Sequence, residues 1–254
     1  MKRVLITGGP TNEYIDEVMK ITNMSSGKLA TELAKHFTGA SYEVTLLLTK
    51  GIKFDFSSPH LRVVRFETTE QLLRCIEEEA KNSNYDIIIH SAAVADYKPE
   101  FSFRAEDMAE EIAKIFTHSD VVNTGSFYDV KTAVFDVLTN PKCKVNDDTK
   151  ISSVEPNLTV KLGLTPKIIA SLRNLFPNAF ICGFKLLEGV KESELIDAAI
   201  KQIEKCNTNL VFANDLAELR KGNAFRLVVS RSGYKNIKVD GAYGIFNLIH
   251  IMNP

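Results

Sequence analysis

Apolar residues along this chain fall into two alternating kinds of run. Short β-rich runs such as "RVLITGG", "YEVTLLLT" and "LRVVRFE" are separated by stretches whose apolar residues recur every three or four positions. Leu29, Ala30, Leu33, Ala34 and Phe37 make one helical face, with Gly39 just beyond it. Thr68 with Gln71 predicts a capping box for the helix "TEQLLRCIEEEAKN", whose Leu72, Leu73, Ile76 and Ala80 face inward. The next run, "YDIIIHSAAVAD", is too apolar for a half-exposed strand and is expected to be a central parallel one.

Residues 100–149 break this alternation. They predict two helices, "AEDMAEEIAKIF" and "SFYDVKTAVFDVL", the second stopped by Asn140 and Pro141, with no strand between them. About 50 residues rarely carry a core alone, so this stretch is expected to be a helical insertion within a single domain spanning 1–254. The alternation then resumes with "LTVKLGL". Thr165 and Pro166 read as the N-cap and first position of a helix carrying Ile168, Ile169, Leu172, Leu175 and Phe176. The strand "AFICGFKLL", a helix through "SELIDAAIKQIEK" and the strand "NLVFAND" follow. The tail predicts a hairpin from "AFRLVVS" and "YKNIKV" and little else. The expected fold is α/β: a Rossmann-like, mostly parallel sheet with helices on both faces, a helical insertion and a small C-terminal hairpin.

Composition narrows the function classes. Thirty-one basic against 32 acidic residues leave a net charge of −1, which predicts no bulk attraction to nucleic acid or membrane. No run approaches the length of a membrane span, and "MKRVLITGG" is too short for a signal peptide. Cys75, Cys143, Cys182 and Cys206 share no CxxC or Cys/His spacing, so a reduced, cytoplasmic protein is expected.

Ligands of such sheets bind beyond the carboxyl ends of the strands. Four strand-end loops are unusual here: "TGGPTNEYID", "HSAAVADYKP", "GFKLLEGV" and "FANDLAEL". A nicotinamide or flavin site would need G-x-G-x-x-G after the first strand and an acid about 20 residues on. The chain offers Gly8, Gly9, Pro10 and Thr11 with no third glycine at that spacing, and Asp16 and Glu17 come too early. "SSGK" is not a Walker loop either, because Thr22 stands five residues before Gly27 and Leu29 follows Lys28. Ser25, Ser26 and Gly27 read equally as hydroxyl caps of a helix and as donors for a phosphate at its positive end. Taken singly, Asp96 is a turn cap and Asn214 with Asp215 an Asx turn. Lys150 is a loop lysine, and Lys201 with Lys205 belongs to a solvated helix face shared with Glu194, Asp197 and Glu204.

Taken together, these segments resemble a family. "LITGGPTNEYIDEVMKITNMSSGKLA", "HSAAVADYKP", "KISS", "TPKII", "GFKLLEGV" and "FANDL" occur in the order and approximate spacing of phosphopantothenoylcysteine synthetase, the phosphopantothenate–cysteine ligase of coenzyme A synthesis. The likeness runs from about residue 3 to residue 229 and is closest to the stand-alone bacterial type, with no decarboxylase half ahead of it. It implies that 4′-phosphopantothenate, activated by CTP with Mg2+ as an acyl-cytidylate, is joined to L-cysteine with release of pyrophosphate and CMP, in a homodimer. The same reaction with ATP, an NAD(P)-dependent reductase or epimerase, and a non-catalytic nucleotide binder are the alternatives.

The resemblance also assigns residues. Asn23 matches the catalytic asparagine and Lys150 the essential lysine, while Asp96 matches the aspartate that contacts the nucleotide. Gly8, Gly9, Pro10, Thr11, Ser25, Ser26, Gly27, Ala92, Ala93, Phe184, Lys185 and Asn214 fall in the nucleotide pocket. Lys201 and Lys205 join it only with a one-residue shift near Cys206. No metal ligand is expected from the protein, since magnesium travels on the triphosphate. Two departures stand out. Fifty-four positions separate Asp96 from Lys150, where fused relatives have a short flap, so the insertion is read as a lid and dimer element. The closing "GIFNLIHIMNP" lacks the amphipathic helix usual in relatives.

Overall fold

The computed structural model describes residues 1–118, 126–145, 150–152, 154, 156–223 and 225–253. The chain divides into two compact units: one of Met1–Asn12, Thr22–Ala95 and Pro166–Pro254, the other of Glu13–Ile21 and Asp96–Thr165. In chain order, β1 (Arg3–Gly8) leads into the short strands β2 (Asn12–Tyr14) and β3 (Lys20–Thr22), then α1 (Lys28–Gly39). β4 (Glu43–Thr49), β5 (Leu61–Phe66), α2 (Thr69–Asn82) and β6 (Ile87–His90) follow. The second unit then contributes β7 (Tyr97–Arg104), α3 (Ala105–His118), α4 (Phe127–Thr139), β8 (Lys144–Val145) and β9 (Leu158–Leu164). The chain returns through α5 (Ile168–Leu175), β10 (Phe180–Leu187), α6 (Glu192–Cys206), β11 (Leu210–Asp215) and α7 (Leu216–Arg220). It closes with β12 (Phe225–Ser230), β13 (Gly233–Asp240) and α8 (Gly241–Met252).

The larger unit is built on one sheet of order β13-β12-β11-β10-β6-β1-β4-β5. β5, β4, β1, β6, β10 and β11 pair in parallel, and β12 and β13 add an antiparallel edge. Successive side chains of a strand point to opposite faces, and here both faces are buried. Val4 and Ile6 meet Leu33, Ala34 and Phe37 of α1 and Ile245 and Ile249 of α8. Leu5 between them meets Leu72 and Ile76 of α2 and Leu172 of α5. A third cluster packs Leu195, Ala199 and Ile203 of α6 on Val211 and Val229. The chain leaves β1 toward β4 and β5 and later fills the other side through β6, β10 and β11, so the strand order reverses between β1 and β6.

The second unit differs from the expected helical insertion. Its helices α3 and α4 accompany a three-stranded antiparallel sheet of order β8-β7-β9, in which Tyr97 pairs with Leu164 and Arg104 with Leu158. "LTVKLGL" is therefore a strand of this small sheet and not of the main parallel one. Its modest core is Phe101, Phe103 and Met108, with Ile112 and Val137 against them. Residues 119–125 and 146–149 of the expected insertion lie outside the described residues.

Three boundaries are also corrected. Thr165 and Pro166 precede the helix they were expected to open, which starts at Ile168 after Lys167. Strand β10 runs to Leu187, so Phe184 and Lys185 belong to a strand and not to a loop. "GIFNLIHIM" does form a helix: α8 docks on α1, with the Phe246 ring lying between His36 (5.7 Å) and His250 (5.5 Å) and edge-on to Phe37 at 5.0 Å. The capping box at α2 forms with one variation: Thr68 accepts from Gln71 N, and the Gln71 amide oxygen takes the N–H of Glu67 instead of Thr68. All four cysteines are free thiols, and burial raises the Cys182 thiol beyond any physiological titration. Among the described residues no helix is long and apolar enough to cross a membrane.

Phe246 tests whether α8 belongs to the core. Phe246→Ala should lower unfolding free energy by about 2 kcal/mol, the partly buried version of an aromatic truncation. Urea denaturation measures it, and an unchanged midpoint would remove α8 from the core.

Candidate functional site

The loops that follow β1, β6, β10 and β11 all open at the carboxyl edge of the main sheet. At the reversal point the loops after β1 and β6 continue the parallel ladder beyond the strands. Ser91 N donates to Thr7 O (3.2 Å), Ala93 N to Gly9 O (2.9 Å) and Thr11 N to Ala93 O (3.2 Å). Pro10 lies beside Ala93 in this extension.

Threonines fix the paired loops from below and from the side. The Thr49 hydroxyl donates to Pro10 O at 2.7 Å, and Thr22 donates to Thr11 O at 2.9 Å. The Thr11 hydroxyl, fully buried, accepts from Ala95 N (2.9 Å) and from the Thr69 hydroxyl (3.0 Å). Beneath Ala92, whose N–H donates to the Thr7 hydroxyl at 3.2 Å, that hydroxyl also bonds His90 Nδ1 at 2.9 Å. A hydroxyl can both donate and accept, so this bond is satisfied by either neutral tautomer of His90. Burial drives its pKa from 6.5 down to about 4.

Helix α1 enters this edge at its N-terminus. Its N-cap is Gly27 in the left-handed region (φ 70°), a residue with no side chain to cap the helix, and the first turn carries no acidic residue. Glycine is called for here by the positive φ, and a Cβ at Gly27 would also press on the tip of Ile52 (2.7 Å) and touch the Gly9 backbone at 3.4 Å. Gly8 is tighter still: a Cβ there would meet Ala30 Cβ at 2.1 Å. The N-cap position thus falls on glycine and not on a serine, while Ser26 Oγ, one residue earlier, accepts a long hydrogen bond (3.4 Å) from Lys28 N. The first-turn amides beyond Lys28 have no capping side chain, and at the positive end of a helix without acids they suit an anion. Asn23 stands beside them: its amide nitrogen donates to Ala93 O at 3.2 Å. A carbonyl partner orients the amide with its NH2 toward Ala93, leaving one N–H and the oxygen for other partners.

The structure thus gathers Gly8, Gly9, Pro10, Thr11, Asn23, Ala92 and Ala93 into one hydrogen-bonded group, with Gly27 close against Gly9 and Ser25 and Ser26 on the connecting segment. Farther along the edge, Lys185 is half-buried in β10 opposite Ala213 of β11, while Phe184 turns into the core, its ring 5.3 Å from Phe212. Asn214 is buried and lines a cavity of about 440 Å3 with Val190, Asp215 and Phe225. Asp215 caps α7 and accepts from Val190 N at 3.0 Å, and these backbone donors, Val190 first, hold its carboxyl below the usual range. Lys201 and Lys205 are exposed on the second half of α6; Lys205 occupies its last turn, next to the start of β11, on the far side of the sheet from the strand-end loops. The structure does not bring these two lysines to the loop group. Asp96 and Lys150 belong to the second unit and are both exposed. Thr7, Thr49 and His90 escape a motif-based reading. Their signal is a polar side chain inside the runs "RVLIT", "VTLLLT" and "DIIIH", which are otherwise apolar.

With this geometry in hand, the chain can be set beside known proteins. Residues 1–105 match the family described as DNA/pantothenate metabolism flavoprotein C-terminal domain. The chain is 36% identical over 215 residues, 85% of its length, to the coenzyme A biosynthesis bifunctional protein CoaBC of Thermococcus kodakarensis, and covers 41% of that protein. It is thus similar to less than half of the curated relative. The crystal structure of the DNA/pantothenate metabolism flavoprotein from Streptococcus pneumoniae is 28% identical with TM-score 0.74, over 99% of this chain and 98% of that one. A Cab2 mutant solved in complex with phosphopantothenate-cysteine shares the fold at 20% identity, with TM-score 0.65 over 99% of this chain and 85% of that one. These matches bear out the family resemblance carried by "TNMSSG" and "AAVAD".

The buried histidine makes this edge acid-sensitive. The unfolded chain takes up the His90 proton near pH 6.5 and the folded chain only near pH 4, so its contribution is whole above pH 6.5 and is lost as pH falls toward 4. The loss should approach about 3 kcal/mol. His90→Asn, which keeps a polar atom near the Nδ1 position, should flatten stability between pH 6.5 and 4 relative to wild type in urea titrations.

Proposed function

We propose that this chain, related through its first 105 residues to the DNA/pantothenate metabolism flavoprotein C-terminal domain, is a phosphopantothenate–cysteine ligase. The observation that carries the reading is the zippered pair of strand-end loops beside a helix N-terminus without a side-chain cap, with the Asn23 amide clamped to Ala93. It provides N–H donors, a neutral amide and close backbone approach, which suit phosphate groups and a developing oxyanion better than a bare cation.

In the proposed reaction the carboxylate of 4′-phosphopantothenate attacks the α-phosphate of CTP. Pyrophosphate leaves, and an acyl-cytidylate forms. The amine of L-cysteine then attacks the acyl carbon, and CMP leaves with the bond electrons. Magnesium on the triphosphate supplies charge neutralisation during the first step. The α1 amides and the Gly8–Thr11 turn hold phosphate oxygens. Lys150 screens the triphosphate against the incoming carboxylate. The spare N–H of Asn23 donates to the oxyanion of the second step without repelling the phosphates. Asp96 accepts from the nucleotide's exocyclic amine or sugar hydroxyls, and Lys185 and Asn214 are further nucleotide contacts. Lys201 and Lys205, which stand away from the loop group, take no part. Association as a homodimer belongs to the same reading, and the exposed Phe127, Tyr128 and Phe135 of α4 supply apolar surface for it.

Pyrophosphate should appear only when CTP, Mg2+ and phosphopantothenate are all present, and CMP only when cysteine is added. Asn23→Ala should keep pyrophosphate formation and slow CMP release by about 100-fold, the scale of one lost oxyanion donor. Lys150→Gln should leave only residual pyrophosphate formation. Parallel assays with ATP set the nucleotide preference, and absence of pyrophosphate with either nucleotide would overturn the ligase assignment.

A further inference from the structure

The turn between β2 and β3 carries an aspartate that the reaction scheme leaves unused. Asp16 is only 4% exposed, and its two carboxylate oxygens have different tasks. Oδ1 closes its own turn, accepting from Val18 N at 2.7 Å and Met19 N at 2.6 Å. An asparagine or serine would serve there equally well. Oδ2 accepts from Ile151 N at 2.9 Å, across 135 positions of sequence and within the same compact unit. Ile151 is itself buried, at 5% exposure, while the preceding Lys150 is exposed. The backbone on the carboxyl side of Lys150 is thereby tied down by a buried amide and a buried side chain, and the lysine extends from that anchor. The three amides, Met19 first and Ile151 second, hold the Asp16 carboxyl below its usual range, and the Lys150 charge adds to the effect.

We infer that Asp16 is a positioning residue for Lys150: its second carboxylate oxygen latches the Lys150–Ile151 backbone to the β2–β3 turn, so that the lysine is presented in a fixed place. The inference rests on the role proposed above for Lys150. A carboxylate is required because both oxygens accept at once. In Asp16→Asn the amide oxygen still closes the turn, but the NH2 would face the N–H of Ile151, two donors against each other. The latch opens while the turn stays.

Full-length Asp16→Asn, with Asp16→Ser as a second variant that also keeps a turn acceptor, tests this in three arms. Amide hydrogen exchange should show the Ile151 N–H losing protection by about tenfold or more while Val18 and Met19 keep theirs. The kcat for pyrophosphate formation should fall about 10- to 100-fold, the effect of a misplaced group, with KM for nucleotide and phosphopantothenate little changed. In a Lys150→Gln background the Asp16 substitution should cause no further loss of residual pyrophosphate formation, because its effect passes through the lysine. Equal losses in both backgrounds, or unchanged kcat alongside lost Ile151 protection, would overturn the inference and leave Asp16 a structural residue. Unchanged protection at Ile151 in both variants would overturn the latch itself. If the wild-type protein formed no pyrophosphate, the ligase reading would fail, and the exchange arm would still decide whether the latch exists.

Discussion

The pairing of the β1 and β6 loops past the end of the sheet is the constraint on which the site depends. Two parallel strands normally part company where their helices take over. Here Gly9, Thr11, Ser91 and Ala93 keep exchanging backbone hydrogen bonds, and Thr7, Thr11, Thr22 and Thr49 bind much of what remains. Loop backbone that would otherwise need water is thus satisfied within the protein. That rigidity lets the loops hold a ligand by main-chain groups. It also gives Asn23 a fixed carbonyl to grip.

Much of the larger unit is legible in the sequence because its elements advertise themselves locally. The apolar faces of α1 and α2 show the helical period, and β6 is apolar enough to demand cover on both sides. The loop group was legible as composition, though the choice between capping serines and an open helix end was not. That choice turns on the left-handed conformation of Gly27 and its approach to Gly9, which no spacing reveals.

Elsewhere tertiary context prevails over local signals. Period-two alternation marks "LTVKLGL" as a strand but does not say which sheet receives it, and its partner β7 contains a proline that disguises it. Helix α8 holds two glycines and has little polar face, so its helicity comes from docking on α1 and not from propensity. Asp16 reads in the sequence as an acid that comes too early to bind a ribose. Its partner lies 135 positions away, a distance that local reading does not cross.

The contact between Gly8 and Ala30 has an evolutionary consequence. The last residue of β1 and the first turn of α1 share one small volume, and a single methyl fills it. That methyl now belongs to residue 30. Among descendants of this chain the two positions are coupled: growth at residue 8 becomes admissible only in a lineage where residue 30 has first shrunk to glycine. The pair should co-vary as one character, and its size limit should persist even where the chemistry of the surrounding loops has drifted.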